Sequence, residues 1–306
     1  ANGSGKTSIL EALFYSCYLR SFRTHLSREI MHRGSDHFYV HVGFENKILG
    51  IDQEIQVGVS GDQKTVKLDG QAIHTYKEIV ESFSVIAATE EDIMLVAGAP
   101  DVRRLFLNHA IVLNNPGHVA DLKVYRSILA QRNKLLQAQS YRLSTTSEEL
   151  ITWSRQLWQQ ACVVQSARSM FLAQLQSKVN FLLRESGASL GLEHIEVILT
   201  YQQRNMGSGD FNDFWVRYQD KNILDQERRL GRSLFGAHLD DISISFQLHR
   251  SRAYASRGQQ KLVVFLIKLA QAILLEEAGR PLLLLLDDFL TDFDEMRLES
   301  CFSLIT

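Results

Sequence analysis

Three short stretches place residue types at spacings suited to phosphate chemistry. The chain opens Ala1, Asn2, Gly3, Ser4, Gly5, Lys6, Thr7, which fills the pattern GxxxxGK[ST] except for a first glycine that would precede Ala1. Glycines let successive backbone N–H groups wrap an anion, and the positive end of a following helix attracts it. Lys6 would reach the β- and γ-phosphates of a nucleoside triphosphate, and the Thr7 hydroxyl would hold Mg²⁺. The bland alternative is a chance Gly-Ser turn beside a solvated lysine. It is disfavoured because helical periodicity begins at once, with Ile9, Leu10, Leu13, Phe14 and Cys17 on one face. The second stretch is the leucine run 282–286 followed by Asp287 and Asp288. A carboxylate at the C-terminal end of a central strand sits where open α/β sheets bind ligands. Asp287 would hold Mg²⁺, directly or through water, and Asp288 would orient or deprotonate an attacking water. The third is Ala255-Ser256-Arg257-Gly258-Gln259 ahead of another helix. A hydroxyl, a glycine and a helix start make a second anion site.

The last two stretches have ordinary readings as well. A buried strand often ends in a polar turn, and Ser256 with Gly258 is equally an N-cap and a turn residue. Taken alone, 255–259 favours that reading. The order of the pieces decides. A phosphate loop, Ser-x-Gly-Gln before a helix, an apolar strand ending in two acids, then Thr291-Asp292-Phe293-Asp294 is similar to the signature set of the ABC ATPase class. Weak signals in the right order coincide by chance far less often than any one of them.

The elements that must position these residues are legible in outline. Over 37–88 the period shortens to that of strands, with turns at 45–47, 61–62 and 69–70 and a buried strand at 84–88. From about Pro100 the chain is helical. Val119, Leu122, Tyr125, Leu129 and Leu136 keep a three-to-four spacing beyond the turn at 114–117. A break at 144–149 holds a capping box of Thr146 and Glu149. A long helix follows with Leu150, Leu157, Ala161, Val164, Arg168, Leu172, Leu175 and Val179 down one side, stopped at Ser186-Gly187. These two helices suggest an antiparallel pair, and a plain bundle fits them as well as a functional arm. Strands return at 195–200 and 242–248. A helix over about 259–278 is apolar nearly all round, hence buried, and the leucine run suits the centre of a parallel sheet. The expected class is α/β, a P-loop ATPase head with an inserted helical domain: 1–98 and 191–306 form the ATPase lobe, and 99–190 the insertion.

Composition bounds the partners. The 306 residues carry 33 Lys plus Arg against 35 Asp plus Glu, a net charge of −2, with 45% apolar and 22% charged residues. That excludes wholesale disorder and binding to nucleic acid through bulk charge, so any such contact needs a local patch. No apolar run reaches the roughly 18 residues of a membrane span, since Leu262–Leu275 is broken by Lys268 and Gln271. Cys17, Cys162 and Cys301 form no CxxC pair, which predicts neither a metal site nor a disulfide framework and fits a reducing cytoplasm. The start at Ala1, inside a motif, predicts a chain truncated at both ends, without its first glycine, the strands before it and whatever follows Thr306.

Across nearly its whole length the chain resembles the RecF family of bacterial recombination mediators, relatives of the SMC and DNA-repair ATPases. The resemblance rests on the phosphate loop and helix at 2–13, LRSFRT at 19–24, LVAGAPDVRRLFLN at 95–108, YRSILAQRNKLL at 125–136 with Gln131-Arg132-Asn133, GAHLDDISI at 236–244, SRGQQK, and the Asp287-Asp288 pair. Departures are Asn108 for Asp, Ala237 for Pro, Leu239 for Arg, and no proline ahead of Glu90.

The resemblance implies ATP and Mg²⁺ held by the 1–7 loop, Thr7 and Asp287. Ser256, Gly258 and Gln259 of a second copy would cover the γ-phosphate, so that ATP joins a homodimer on DNA and slow hydrolysis through Asp288 releases it. An aspartate base, shorter than the Glu of most ABC proteins, agrees with weak, DNA-stimulated turnover. Also implied are double-stranded or gapped DNA and single-strand junctions, RecO and RecR as partners, recombinase loading at gaps, replication restart and the SOS response, in the cytoplasm and without a membrane. Candidate DNA contacts are Arg20, Arg23, Arg28 and Arg33 with His25 and His32, then Arg103 and Arg104, then Arg228, Arg229 and Arg232; for any single cluster a solvated face is the simpler reading. The rivals are a phage-defence ABC ATPase and a non-catalytic nucleotide-gated module. A transporter subunit would set its phosphate loop closer to Ser-x-Gly-Gln, and a structural SMC subunit needs long heptads.

Overall fold

The computed structural model describes residues 5–24, 29–32, 34–46, 50–73, 75–139, 148–187, 196–204, 209–220, 222–246, 249–250, 255–291 and 293–305. Ala1, Asn2, Gly3, Ser4, His25, Arg28, Arg33, Thr146 and Asp292 lie outside them. Along the chain run α1 (Lys6–Tyr18), β1 (His37–Asn46), β2 (Ile51–Ser60), β3 (Gln63–Leu68), β4 (Gln71–Ala72), α2 (Tyr76–Ser82), β5 (Ser84–Thr89) and a 3-10 turn (Glu90–Ile93). Next come α3 (Met94–Ala97), α4 (Pro100–Asn114), α5 (His118–Gln139), α6 (Glu148–Ser186), β6 (Val197–Gln202), α7 (Phe211–Asp220) and α8 (Ile223–Leu230). The chain continues through β7 (Asp241–Phe246), β8 (His249–Arg250), α9 (Arg257–Glu277), β9 (Leu282–Asp287) and α10 (Glu295–Ser303). Two compact units interleave in sequence. One holds Ala1–Ile93, Lys178–Ile195 and Ala255–Thr306; the other holds Met94–Ser177 and Glu196–Tyr254.

In the first unit β1 to β4 form an antiparallel meander. Its last hairpin turns on Asp69 (φ 49°) and Gly70 (φ 78°), two left-handed residues as a tight two-residue turn between twisted strands demands. Helix α1 packs Tyr15 edge-on to Phe38, centroids 5.1 Å apart. The Tyr18 hydroxyl donates to the Val85 carbonyl (2.5 Å) and accepts from its N–H (3.1 Å), tying the helix to β5. Ile9, on the same apolar face as Phe14 and Cys17, is open. It is 64% exposed, because α1 buries its C-terminal half, from Phe14 to Tyr18, and leaves its first turns open.

Strands β5 and β9 pair in parallel, from Ser84 opposite Leu282 to Thr89 opposite Asp287. All six residues of β5 are buried. In β9 Leu285 is buried, but Leu283 is 43% exposed. Among the described residues this sheet consists of β5 and β9. Helix α9 is long and apolar enough to pass as a membrane span by composition. Two-thirds of that window is buried within the protein, as in the core helix of a folded domain.

In the second unit every residue of the α6 stripe named above, up to Leu175, is buried. On α5 the buried face runs Leu122, Tyr125, Arg132, Leu136. Strand β7 pairs antiparallel with β6 and packs on α4. Glu196–Tyr254 groups with Met94–Ser177 in this unit. Asp240 is one tie between the two stretches. The wholly buried carboxylate accepts from Gln165 Nε2 (2.8 Å), Tyr201 OH (2.6 Å) and the Arg204 N–H (2.9 Å). Beside it Arg168 donates to Asn108 Oδ1 (2.9 Å) and the Ala237 carbonyl (2.6 Å). Two of the family departures, Asn108 and Ala237, are thus absorbed in one hydrogen-bonded core.

Candidate functional site

The site is built where α1 begins. Gly5, the N-cap, has φ 80° and ψ 10°, a left-handed conformation that costs glycine nothing. A side chain there would meet nothing within 4 Å, so backbone conformation and not space selects the glycine. No side chain caps α1 and no acid lies in its first turn. The positive end of the helix is left for an external anion, with exposed Lys6 on its first residue.

The Thr7 hydroxyl donates to Asp287 Oδ1 at 2.9 Å, across 280 positions of sequence. The end of β9 and the start of α1 therefore meet, bringing together the two residues expected to share Mg²⁺. Two hard oxygen donors side by side fit that ion, which takes few protein ligands and fills its octahedron with water and phosphate oxygens. Among the described residues no group of three or more His, Cys, Asp and Glu side chains could hold a metal. Asp288 follows at φ 51°, in the left-handed region that Asp tolerates better than most residues. Its side chain is exposed, and its carbonyl accepts the Thr291 hydroxyl at 2.8 Å. Asp294 caps α10 through the Arg297 N–H (2.9 Å).

Ser256 caps α9 in a reciprocal box. Its hydroxyl oxygen accepts from the Gln259 N–H (3.3 Å), while Gln259 Oε1 accepts from the Ser256 N–H (2.9 Å). The ordinary reading of this stretch is thus realised in the isolated chain, and Gln259 is occupied in it. Gly258 faces open space, so the segment still offers a bare backbone surface.

Beside this cap lies a cluster that local sequence does not announce. Arg257 Nη2 donates to Glu90 Oε1 at 2.6 Å. Lys261, wholly buried, lies 4.0 Å from the same oxygen. Lys268 pairs with Asp92 at 2.7 Å and donates to the Ala87 carbonyl at 2.8 Å. Three cations of α9 thus meet the acidic turn that follows β5, the strand in register with Asp287.

The basic clusters fare unequally. Arg103 is 7% exposed and makes a fork to Asp241 at 2.8 and 3.0 Å. Although burial raises it, hydrogen bonds from Arg103 and the Ile242 N–H hold the Asp241 carboxyl below its ordinary range. Arg104 donates to the Asp240 carbonyl at 2.7 Å. Arg103 is therefore a buried strut, while Arg104 is half-buried beside it. Arg20 and Arg23 of the first unit and Arg229 and Arg232 of the second are exposed. In the 19–24 stretch Ser21 Oγ accepts the Arg23 and Thr24 N–H groups at 2.8 and 3.2 Å and donates to Glu11, so that stretch is first of all a folded turn. Gln131-Arg132-Asn133 is internal too. Arg132 grips Glu227, and Asn133 Oδ1 accepts the Ser233 N–H at 2.8 Å.

Comparison with known proteins follows the same line. The chain is 31% identical over 308 residues to the DNA replication and repair protein RecF of Chloroherpeton thalassium, covering 97% of this chain and 81% of the relative. It is 31% identical over 303 residues to the RecF of Bacillus velezensis, covering 97% and 80%. The solved structure of the recombination mediator protein RecF with ATP, of the RecFOR pathway, superposes with TM-score 0.83 at 23% identity, over 99% of this chain and 81% of that one. The Smc head of Pyrococcus furiosus bound to the C-terminal domain of ScpA gives 0.50 at 14% identity. The fold is that of an ABC-type ATPase head. No family model matches the chain.

Proposed function

The chain belongs to the RecF family of DNA replication and repair proteins, and from that premise we propose that it binds ATP between two copies of itself on DNA and leaves the DNA when it hydrolyses the nucleotide. The observation that carries this reading is the Thr7–Asp287 contact at 2.9 Å. It supports the reading because it brings the carboxylate of the leucine strand beside the uncapped start of α1.

On this reading the 1–7 loop, Lys6 and the open end of α1 bind the triphosphate. Thr7 and Asp287 would hold Mg²⁺, which neutralises charge between the β- and γ-phosphates when bound. Asp288, exposed and next in sequence, orients the attacking water and takes its proton. Ser256 and Gly258 of the second copy close the cage from the other side. One copy satisfies only part of a highly charged triphosphate, so the dimer is favoured by differential affinity and loses that advantage on hydrolysis. The partners are duplex or gapped DNA and, through the RecFOR pathway named for the solved relative, the mediators RecO and RecR. The compartment is the cytoplasm.

Phosphate release measured with and without duplex DNA tests this reading. Turnover should be slow and rise with DNA. Lys6→Ala removes a charge-assisted contact to phosphate, worth about 1.5–3 kcal/mol, or roughly 10- to 100-fold in nucleotide affinity. ATP binding by Lys6→Ala equal to that of the unsubstituted chain would remove the loop from the site. Ser256→Arg places a bulky side chain on the closing face. Sedimentation should then show an ATP-bound monomer; a dimer that persists in this variant contradicts the shared cage.

A further inference from the structure

We infer that Arg257 is a phosphate-contacting residue held in reserve, which exchanges its ion pair with Glu90 for the γ-phosphate presented by a second copy of the chain. This rests on the shared-cage reading above and adds to it the residue that senses the nucleotide in trans and the contact that restrains it.

The argument begins with position. Arg257 lies between Ser256 and Gly258, on the surface that would face the partner's nucleotide, and it is the first residue of α9. A guanidinium there presents a planar fork suited to phosphate oxygens. In the single chain that fork is bonded to Glu90 at 2.6 Å, with both side chains open to solvent, 64% and 56% exposed. Glu90 is the residue after Thr89, whose register partner on β9 is Asp287. The restraining carboxylate therefore follows the strand beside β9, level with Asp287 of its own chain.

Unequal partners make the exchange possible. Glu90 is shared between Arg257 and Lys261, and Lys261 is 0% exposed at 4.0 Å. A surface pair is weak because both ions are well solvated apart. The Arg257–Glu90 pair is therefore the contact that can open, while the buried Lys261, 4.0 Å from the same oxygen, keeps positive charge beside Glu90. Lys268, 12% exposed and bonded to Asp92 and the Ala87 carbonyl, holds the far end of the same turn in place. A triphosphate carries several negative charges in a site that closure would dry, against one solvated carboxylate, so it wins the guanidinium once it is within reach.

The test is the dimer dissociation constant of the full chain by sedimentation, with ATPγS, with ADP and without nucleotide. Arg257→Ala should raise the ATPγS-dependent constant at least about tenfold, with no difference from the unsubstituted chain in ADP, which lacks the γ-phosphate. Arg257→Lys keeps charge without the fork and should fall between. Glu90→Gln frees the guanidinium and should tighten the ATPγS dimer, provided its melting curve shows the unit still folded. If Arg257→Ala dimerises within twofold of the unsubstituted chain while Ser256→Arg does not dimerise, Arg257 stays with Glu90 and the inference is wrong. An equal loss in ADP would make the contact one between proteins, which also overturns it. A Ser256→Arg dimer that persists would instead sink the shared cage, a result separate from either.

Discussion

Replacing Arg132 with alanine should destabilise the second unit by about 3–5 kcal/mol, the cost of leaving one member of a buried ion pair without the other. Arg132 and Glu227 are both 0% exposed. The guanidinium donates to Glu227 Oε1 and Oε2 at 2.7 and 2.5 Å, to Ser154 Oγ at 2.9 Å and to Ser233 Oγ at 2.7 Å, and it lies 4.6 Å over the Phe235 ring. Without it the Glu227 charge has no solvent to turn to. The pair itself is not the source of the stability, since two charges gave up hydration to form it. Arg132→Met combined with Glu227→Gln should therefore recover more than half of the loss. Gln keeps a carbonyl acceptor for the Leu234 N–H, now 2.6 Å from Glu227 Oε1. The two serines keep their own partners, the Leu150 carbonyl and Asn133. Trp153, Trp158 and Trp215 are all the tryptophans of the chain, and all lie in this unit. Urea unfolding followed by tryptophan fluorescence thus reads this unit alone. A shift below about 1 kcal/mol for Arg132→Ala would mean that water reaches Glu227.

Arg132 also marks how far sequence carries. Leu122, Tyr125 and Leu136 mark the buried side of α5, and position 132 falls in the same three-to-four phase. The stripe read from the sequence passed over that position because an arginine stands there, yet Arg132 is wholly buried. What it could not supply was the partner, which is 95 residues away, on a short helix whose charged residues read as a solvated face. The α6 stripe and the meander hairpins were legible because each depends on a period or a turn residue. The meeting of Thr7 and Asp287 was legible for a different reason: the order of the motifs stood in for tertiary structure. Where no motif did this, contacts stayed hidden. Arg257 and Glu90 meet across 167 positions, and neither stands in a pattern that names the other. Arg103 was not legible as buried because adjacent cations look alike whether solvated or buried. Only the position of Asp241 separates a DNA contact from a strut.

Asp288→Asn should lower ATP hydrolysis by about 10²–10⁴-fold, the usual worth of a general base, while ATP binding persists and the ATP-bound dimer accumulates. The substitution is diagnostic because of the backbone at this position. Asp288 sits at φ 51°, where Asn is as well accommodated as Asp and most other residues are not. Asn keeps the volume and the turn, including the carbonyl that accepts the Thr291 hydroxyl at 2.8 Å, and removes only the capacity to take a proton. Alanine would confound lost chemistry with backbone strain of order 1–3 kcal/mol. The neighbouring carboxylate supplies the contrast. Asp287 is half-buried against Thr7, so Asp287→Asn should weaken nucleotide and metal together, whereas Asp288→Asn should spare both. Phosphate release and sedimentation of the same Asp288→Asn sample decide the matter. Slow release with a persistent dimer assigns the base. Unchanged release assigns the water-activating role elsewhere and leaves Asp288 as a turn residue chosen for its tolerance of the left-handed backbone.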